Sequence, residues 1–117
     1  IRTLILVAVK EELSKKDLPN FNIHYTGIGK INASFKTLEF IKEYSPTLVI
    51  NYGTAGSLNE GLKGLVEVSR FSQRDMDATP LGLKIGQTPF DDIADIDFGH
   101  VGLSYGTGDS FVTQAPK

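Results

Sequence analysis

Apolar residues first gather at Thr3 to Val9 (Thr-Leu-Ile-Leu-Val-Ala-Val), a nearly unbroken and largely β-branched run. Such a run, without polar alternation, predicts a strand covered on both faces, as central parallel strands are. Phe21 to Tyr25 alternates weakly and predicts a second strand. Ile31, Phe35, Leu38, Ile41 and Tyr44 recur at steps of four and three, one face of an amphipathic helix expected to lie on the sheet. Pro46 marks its stop, because the residue before a proline avoids the helical region. Thr47 to Ile50 then reads as a buried strand, which completes a strand-helix-strand unit. Leu65 to Phe71 alternates well enough for a further strand, and His100 to Tyr105 for a last one. These elements predict an α/β fold, a mixed and largely parallel sheet flanked by helices.

The polar stretches fill in the connections. Gln73 to Phe90 is loop-like, with Pro80, Gly82, Gly86 and Pro89 close together, and a long irregular segment in a small domain is usually functional or disordered. Asp75 and Asp77 suggest a metal, yet no third ligand stands nearby, so a solvated loop or an interface is the expectation. Asp91, Asp92, Asp95 and Asp97 read as a solvated surface segment.

Composition narrows the classes without choosing one. The chain has 117 residues, 40% hydrophobic and 22% charged, which suits a single small domain over residues 1–117. A net charge of −2 gives no electrostatic case for nucleic acid or an anionic membrane. Cysteine is absent, which removes disulfide and thiolate chemistry, and two histidines, His24 and His100, cannot make a histidine-rich metal site. No apolar run reaches the length of a membrane span and no stretch reads as a signal peptide, so a cytoplasmic location is the expectation. The chain opens at Ile1 on the edge of a strand and closes at Lys117 just after a glycine motif, the pattern of a piece of a longer reading frame.

Candidate chemistry sits where predicted strands end. Gly53, Thr54, Ala55, Gly56 and Ser57 follow the strand at Leu48 to Asn51, and ligands of open α/β sheets collect at the carboxyl ends of strands. Small residues there let a ligand approach the backbone; the alternative is an ordinary tight turn. Glu11 and Glu12 follow the first strand, either as the first turn of a helix or with one of them entering the crevice as a general base. Thr26 to Asn32 (Thr-Gly-Ile-Gly-Lys-Ile-Asn) fails as a phosphate motif. His24 and Ile31 stand where a P-loop needs glycine and Ser or Thr, and Asn32 where a dinucleotide fingerprint needs glycine. Gly27 and Gly29 therefore give a tight turn with outward N–H groups. Phe111, past the glycines at 106 and 108, is either core or a stacking platform for a planar ligand.

Taken in order, these motifs resemble the nucleoside phosphorylase/nucleosidase superfamily, particularly the 5′-methylthioadenosine/S-adenosylhomocysteine nucleosidases. Ala8 to Glu12 (Ala-Val-Lys-Glu-Glu) is similar to the family's first-strand end, and Thr26 to Lys30 resembles its Ser-Gly-Ile-Gly-Lys turn. Ile50 to Leu58 resembles its Ile-Asn-x-Gly-Ser/Thr-Ala-Gly-Gly signature. Asp75 to Asp77 and Gly86 to Pro89 match a loop that family dimers exchange, and Gly108 to Val112 is similar to Gly-Asp-Ala/Ser-Phe-Ile.

The resemblance implies a nucleoside phosphorylase-like fold, incomplete at its carboxyl end, and hydrolysis of the N-glycosidic bond of a 5′-modified adenosine with release of adenine. It implies that Glu12 holds and polarises the attacking water and that Thr26 sits by the ribose, with Gly27 lining the site. Ala55 and Gly56 would lie along the nucleoside, Phe111 would stack on the purine, and Val112 would meet it through its backbone. Leu81, Leu83 and Pro89 would come from the partner of a homodimer and cover the 5′ substituent. No metal or cofactor is implied. The family's proton-donating aspartate and its Met-Glu ribose pair fall beyond Lys117, so the resemblance implies that residues 1–117 alone are inactive. Two departures stand out: the connection between Glu12 and Thr26 is short, and Leu81 replaces an aromatic. A phosphorylase is the alternative within the superfamily, but Asn51 and Val9 to Glu12 stand where phosphorylases carry arginine and Gly-Asp-Pro-x-Arg, and Glu12 would repel phosphate. Lys10 and Arg74 are the cations that could still meet an anion. A nucleoside-binding module without catalysis is the alternative from another class.

Overall fold

The computed structural model describes residues 2–112. The chain divides between Ala55 and Gly56 into two compact units.

The first unit is built on β1 (Thr3–Val7), β2 (Asn22–Tyr25), α1 (Lys30–Tyr44) and β3 (Leu48–Asn51). The strand order is β2-β1-β3, and both pairings are parallel. In register, Ile5 lies beside Ile23 and Ile50, and Val7 beside Tyr25. As the apolar run predicts, β1 is the central strand: Leu4, Ile5, Leu6 and Val7 are all buried. Ile5, Val7 and Ile23 form the core of one face, with Leu13 and Tyr25 packed against it. The Tyr25 hydroxyl donates to the Leu13 carbonyl at 2.8 Å and ties the connection after β1 to the sheet. Residues 10–12 of that connection form a turn, closed by the Glu12 N–H on the Val9 carbonyl at 3.1 Å, and not the first turn of a helix.

α1 begins after Gly29 and ends at Ser45, whose φ of 44° is left-handed and whose N–H returns to the Ile41 carbonyl at 2.9 Å. Pro46 follows, as the stop signal requires. Of the predicted face only Tyr44 meets the sheet, joined there by Phe40. Phe40 and Tyr44 stack on the His24 ring of β2, at 4.7 and 4.6 Å between centroids. Ile31, Phe35, Leu38 and Ile41 point away and stay exposed, Ile31 at 82%. α1 carries apolar residues on opposite sides, and the sheet of this unit takes the aromatic side. β3 also departs from expectation. All four of its residues are exposed, because it is the edge of a three-stranded sheet with β1 on one side only.

The second unit is built on β4 (Val68–Gln73), a short 3-10 helix (Thr79–Leu81), β5 (Asp95–Asp97) and β6 (Leu103–Thr107). Its order is β5-β4-β6, with β5 antiparallel and β6 parallel to β4. β4 starts later than the alternation predicts, leaving Leu65 outside and 89% exposed. Its centre is Phe71, edge-on to Phe98 at 5.7 Å and tilted against Tyr105 at 5.9 Å. A side chain at Gly102 would meet the Ser69 Cβ at 2.9 Å, so glycine is required where the backbone nears buried Ser69. The aspartate segment is more than solvated surface: Asp95 to Asp97 pairs with β4, and Arg70 bonds the Asp95 carboxylate at 3.2 Å. The cross-strand guanidinium offsets the poor strand propensity of aspartate. Among the described residues, three of the four strand pairings are parallel, in keeping with the mixed, largely parallel architecture that the pattern predicts. Among the described residues no helix is long and apolar enough to cross a membrane.

Candidate active site

In the first unit the carboxyl ends of β1 and β3 lie side by side, and each delivers one polar group. β1 leads through its turn to Glu12, and β3 leads to Gly53 and Thr54. Glu12 Oε2 accepts the Thr54 N–H at 2.6 Å and the Thr54 hydroxyl at 2.8 Å. Two donors from one residue fix both the position and the direction of the carboxylate. Gly53 makes the approach possible: a Cβ there would stand 3.0 Å from Oε2. Among the described residues, Glu12 Oε1 accepts no hydrogen bond and remains available to a small donor such as water.

Thr26 and Gly27 continue β2 at the same end of the sheet. Their N–H groups bond the Val7 and Ala8 carbonyls, both at 2.9 Å, and Thr26 is almost fully buried. Gly27 holds φ at 83°, a left-handed conformation that favours glycine, and the Asn32 amide packs within 3.4 Å of where a Cβ would be. Ala55 follows Thr54 and is exposed. The first unit therefore brings Glu12, Thr26 and Gly27 to one sheet end, with Thr54 added. The sequence places Thr54 only among the small residues after the strand; its role as the carboxylate's partner spans 42 positions and has no local signal.

The second unit carries Gly56, Leu81, Leu83, Pro89, Phe111 and Val112. Phe111 is 92% exposed, so of its two expected roles the core one does not hold among the described residues. Leu81 projects from the 3-10 helix at 72% exposure, whereas Leu83 and Pro89 are half-buried. The loop that carries them is organised by its own polar groups. Asp77 Oδ1 accepts the Thr79 hydroxyl at 2.6 Å and the Thr79 N–H at 3.0 Å, and these bonds hold its carboxyl below the usual carboxylate range. Gly86, with φ at 93°, donates to the Met76 carbonyl at 2.7 Å. Neither Asp75 nor Asp77 joins a metal-binding cluster among the described residues. Arg74 does not wait for an anion: its guanidinium bonds Ser110.

His24 belongs to the packing of α1. Burial pushes its pKa down, the Lys15 charge adds to this, and Glu43 opposes it. Among the described residues its ring nitrogen bonds Asn22, and no hydrogen bond or ion pair links it to Glu12.

Residues 20–111 match the phosphorylase superfamily, most of the chain. The chain belongs to this superfamily. Among its relatives, the 5′-methylthioadenosine/S-adenosylhomocysteine nucleosidase of Staphylococcus carnosus is 35% identical over 92 residues, covering 77% of this chain and 36% of that protein. The nucleosidase of the same name from Staphylococcus haemolyticus is 44% identical over 66 residues, 55% of this chain and 29% of its own length. The superfamily chain thus spans about a third of the curated relatives it matches. A crystal structure of such a nucleosidase from Neisseria meningitidis, in complex with methylthio-immucillin-A, aligns with a TM-score of 0.74 at 25% identity, over 96% of this chain and 67% of that one. A futalosine hydrolase mutant of Helicobacter pylori aligns at a TM-score of 0.78 and 20% identity, over 97% and 71%, a likeness of fold alone. The phosphorylase-superfamily fold and the kinship with these nucleosidases agree with what the motifs suggested.

Proposed function

We propose that the whole protein is a purine nucleosidase that hydrolyses the N-glycosidic bond of a 5′-modified adenosine, such as methylthioadenosine or S-adenosylhomocysteine, and releases adenine. The observation that carries this reading is the Glu12 carboxylate, held by Thr54 through one oxygen with the other available. The names and ligand of the similar nucleosidases support the same substrate class. Both units would belong to a single domain of that enzyme.

In this mechanism the C1′–N9 bond lengthens, positive charge develops on the ribosyl ring, and water attacks C1′. Glu12 Oε1 orients the water and takes one of its protons as the new C1′–O bond forms. The electron pair of the broken bond leaves with the purine, which must be protonated; the net change is addition of water across the bond. Thr26 and Gly27 would border the ribose, Ala55 and Gly56 the length of the nucleoside, and Phe111 would stack on the base with Val112 beside it. The protein would act as a cytoplasmic homodimer, with Leu81, Leu83 and Pro89 crossing to the partner's site. Neither a metal nor a cofactor enters this scheme.

Incubation of the whole protein with methylthioadenosine tests the proposal. Adenine should appear at the same rate with and without phosphate, and Glu12→Gln should lower the rate by about a hundredfold or more. Strict dependence on phosphate would instead make the protein a phosphorylase. No turnover of any purine nucleoside, together with retained binding, would make it a binding module.

A further inference from the structure

The segment from Gly108 to Val112 follows β6 as a loop, and it carries the exposed Phe111. Two adjacent residues just past the end of β4 hold it. The Arg74 guanidinium donates through Nη1 to the Ser110 hydroxyl at 3.1 Å and through Nη2 to the Ser110 carbonyl. Asp75 Oδ2 accepts the Asp109 N–H at 2.9 Å. Arg74 is itself anchored, since its N–H bonds the Thr107 carbonyl at 2.9 Å at the end of the β4–β6 ladder. The two glycines make room for its side chain. A Cβ at Gly106 would stand 3.3 Å from the Arg74 Cβ, and one at Gly108 only 2.9 Å from the guanidinium carbon. Neither glycine has a positive φ, so clearance for the arginine accounts for both.

We propose that Arg74 and Asp75 are positioning residues, a two-point clamp that fixes Ser110 and Asp109 so that Phe111, next in the chain, presents its ring to the purine. The assignment of the base to Phe111 rests on the proposed nucleosidase function; the clamp itself rests on the bonds above. A fork of two donors suits the task, because it fixes direction as well as distance, which a lysine with one point contact does not. A loop held this way loses little further freedom when a base arrives, so the clamp acts on nucleoside affinity.

The test uses the whole protein with Arg74→Ala, Arg74→Lys, Gly108→Ala and the double variant Arg74→Ala/Gly108→Ala. Alanine at 108 leaves Arg74 in place but drives its guanidinium off Ser110. Each of Arg74→Ala and Gly108→Ala should raise KM for methylthioadenosine about tenfold, the scale of one charge-assisted hydrogen bond, with kcat and Tm little changed. The double variant should be no worse than either single one, since both remove the same contact. Arg74→Lys should recover part of the loss. Amide hydrogen exchange of residues 109–112 should speed up in both single variants. Unchanged exchange, additive effects or an unchanged KM would overturn the clamp. If the unsubstituted protein turns over no nucleoside, the proposed function fails, while the exchange measurement still decides the clamp.

Discussion

Single residues near Glu12 have unequal tolerance. Thr54 supplies two hydrogen bonds to one carboxylate oxygen, and Gly53 supplies only the absence of a side chain. Yet Gly53 is the less replaceable of the two. A methyl group 3.0 Å from Oε2 is tighter than an ordinary contact, so the Glu12 carboxylate must shift by a small fraction of its hydrogen-bond length to Thr54 and loosen that hold. Misplacing a catalytic group by about 1 Å costs on the order of a hundredfold in rate. Gly53→Ala shifts it by less than that and is therefore expected to lower kcat for nucleoside hydrolysis by about tenfold, with a smaller effect on KM, read from steady-state kinetics of the whole protein. Thr54→Ser should retain most of the activity, because it keeps both donors. At this scale the sequence was informative about residue types and silent about pairs. The small residues at 53 to 56 and the carboxylates at 11 and 12 are visible as motifs, but only the parallel pairing of β1 with β3 makes one the partner of the other. The Arg74–Ser110 contact was hidden for the same reason: 36 positions separate its members.

The elements were more legible where composition left one choice. A nearly unbroken, largely β-branched run pointed to the central strand, and Gly29 and Pro46 bracket α1 on both sides. The helix's orientation was not legible. Ile31, Phe35, Leu38, Ile41 and Tyr44 make a regular stripe, but only Tyr44 of it meets the sheet, where with Phe40 it forms an aromatic stack on His24 that periodicity does not report. β5 was missed because aspartates argue against a strand, and the counter-charge on Arg70 lies on another element. The stack makes the seat of α1 sensitive to pH. His24 has a pKa below its ordinary 6.5 in the fold, so the unfolded chain binds the proton more readily. Its contribution to stability is complete above that value and declines as pH falls below it. Tm measured between about pH 7 and 5 should fall more steeply in the original protein than in His24→Phe, which keeps the stacking and cannot titrate. Equal slopes would show that His24 does not govern the seat of α1.

For the molecule as a whole, the distribution of apolar surface is the dominant feature. Beyond the outer face of α1, a mostly apolar groove of about 430 Å³ opens on the first unit, lined by Ile5, Leu13, Leu18, Phe21, Ile50 and Tyr52 with the charged Asp17 among them. Phe90, Phe98 and Val101 add to the exposed apolar surface of the second unit. Scattered apolar residues are normal on a protein surface, but contiguous ones mark contact surfaces or aggregation. Residues 1–117 on their own should therefore bind a hydrophobic dye strongly and scatter light at micromolar concentration. A protein of the relatives' full length, roughly twice that of these residues, should do neither. A dye-silent, monodisperse preparation of the 117-residue chain would contradict this.

The order of strands in the first sheet bears on how the protein is made. β1 is flanked by β2 and β3, and both flanking strands come later in the chain. On the ribosome, the most apolar strand therefore emerges with neither neighbour. It gains β2 first and waits for Leu48 to Asn51 before its second edge closes. Parallel pairings are slow to form because a long connection must be closed first. Throughout that interval Leu4 to Val7 is an open edge, and the nascent chain has reason to meet a chaperone there before it meets its own β3.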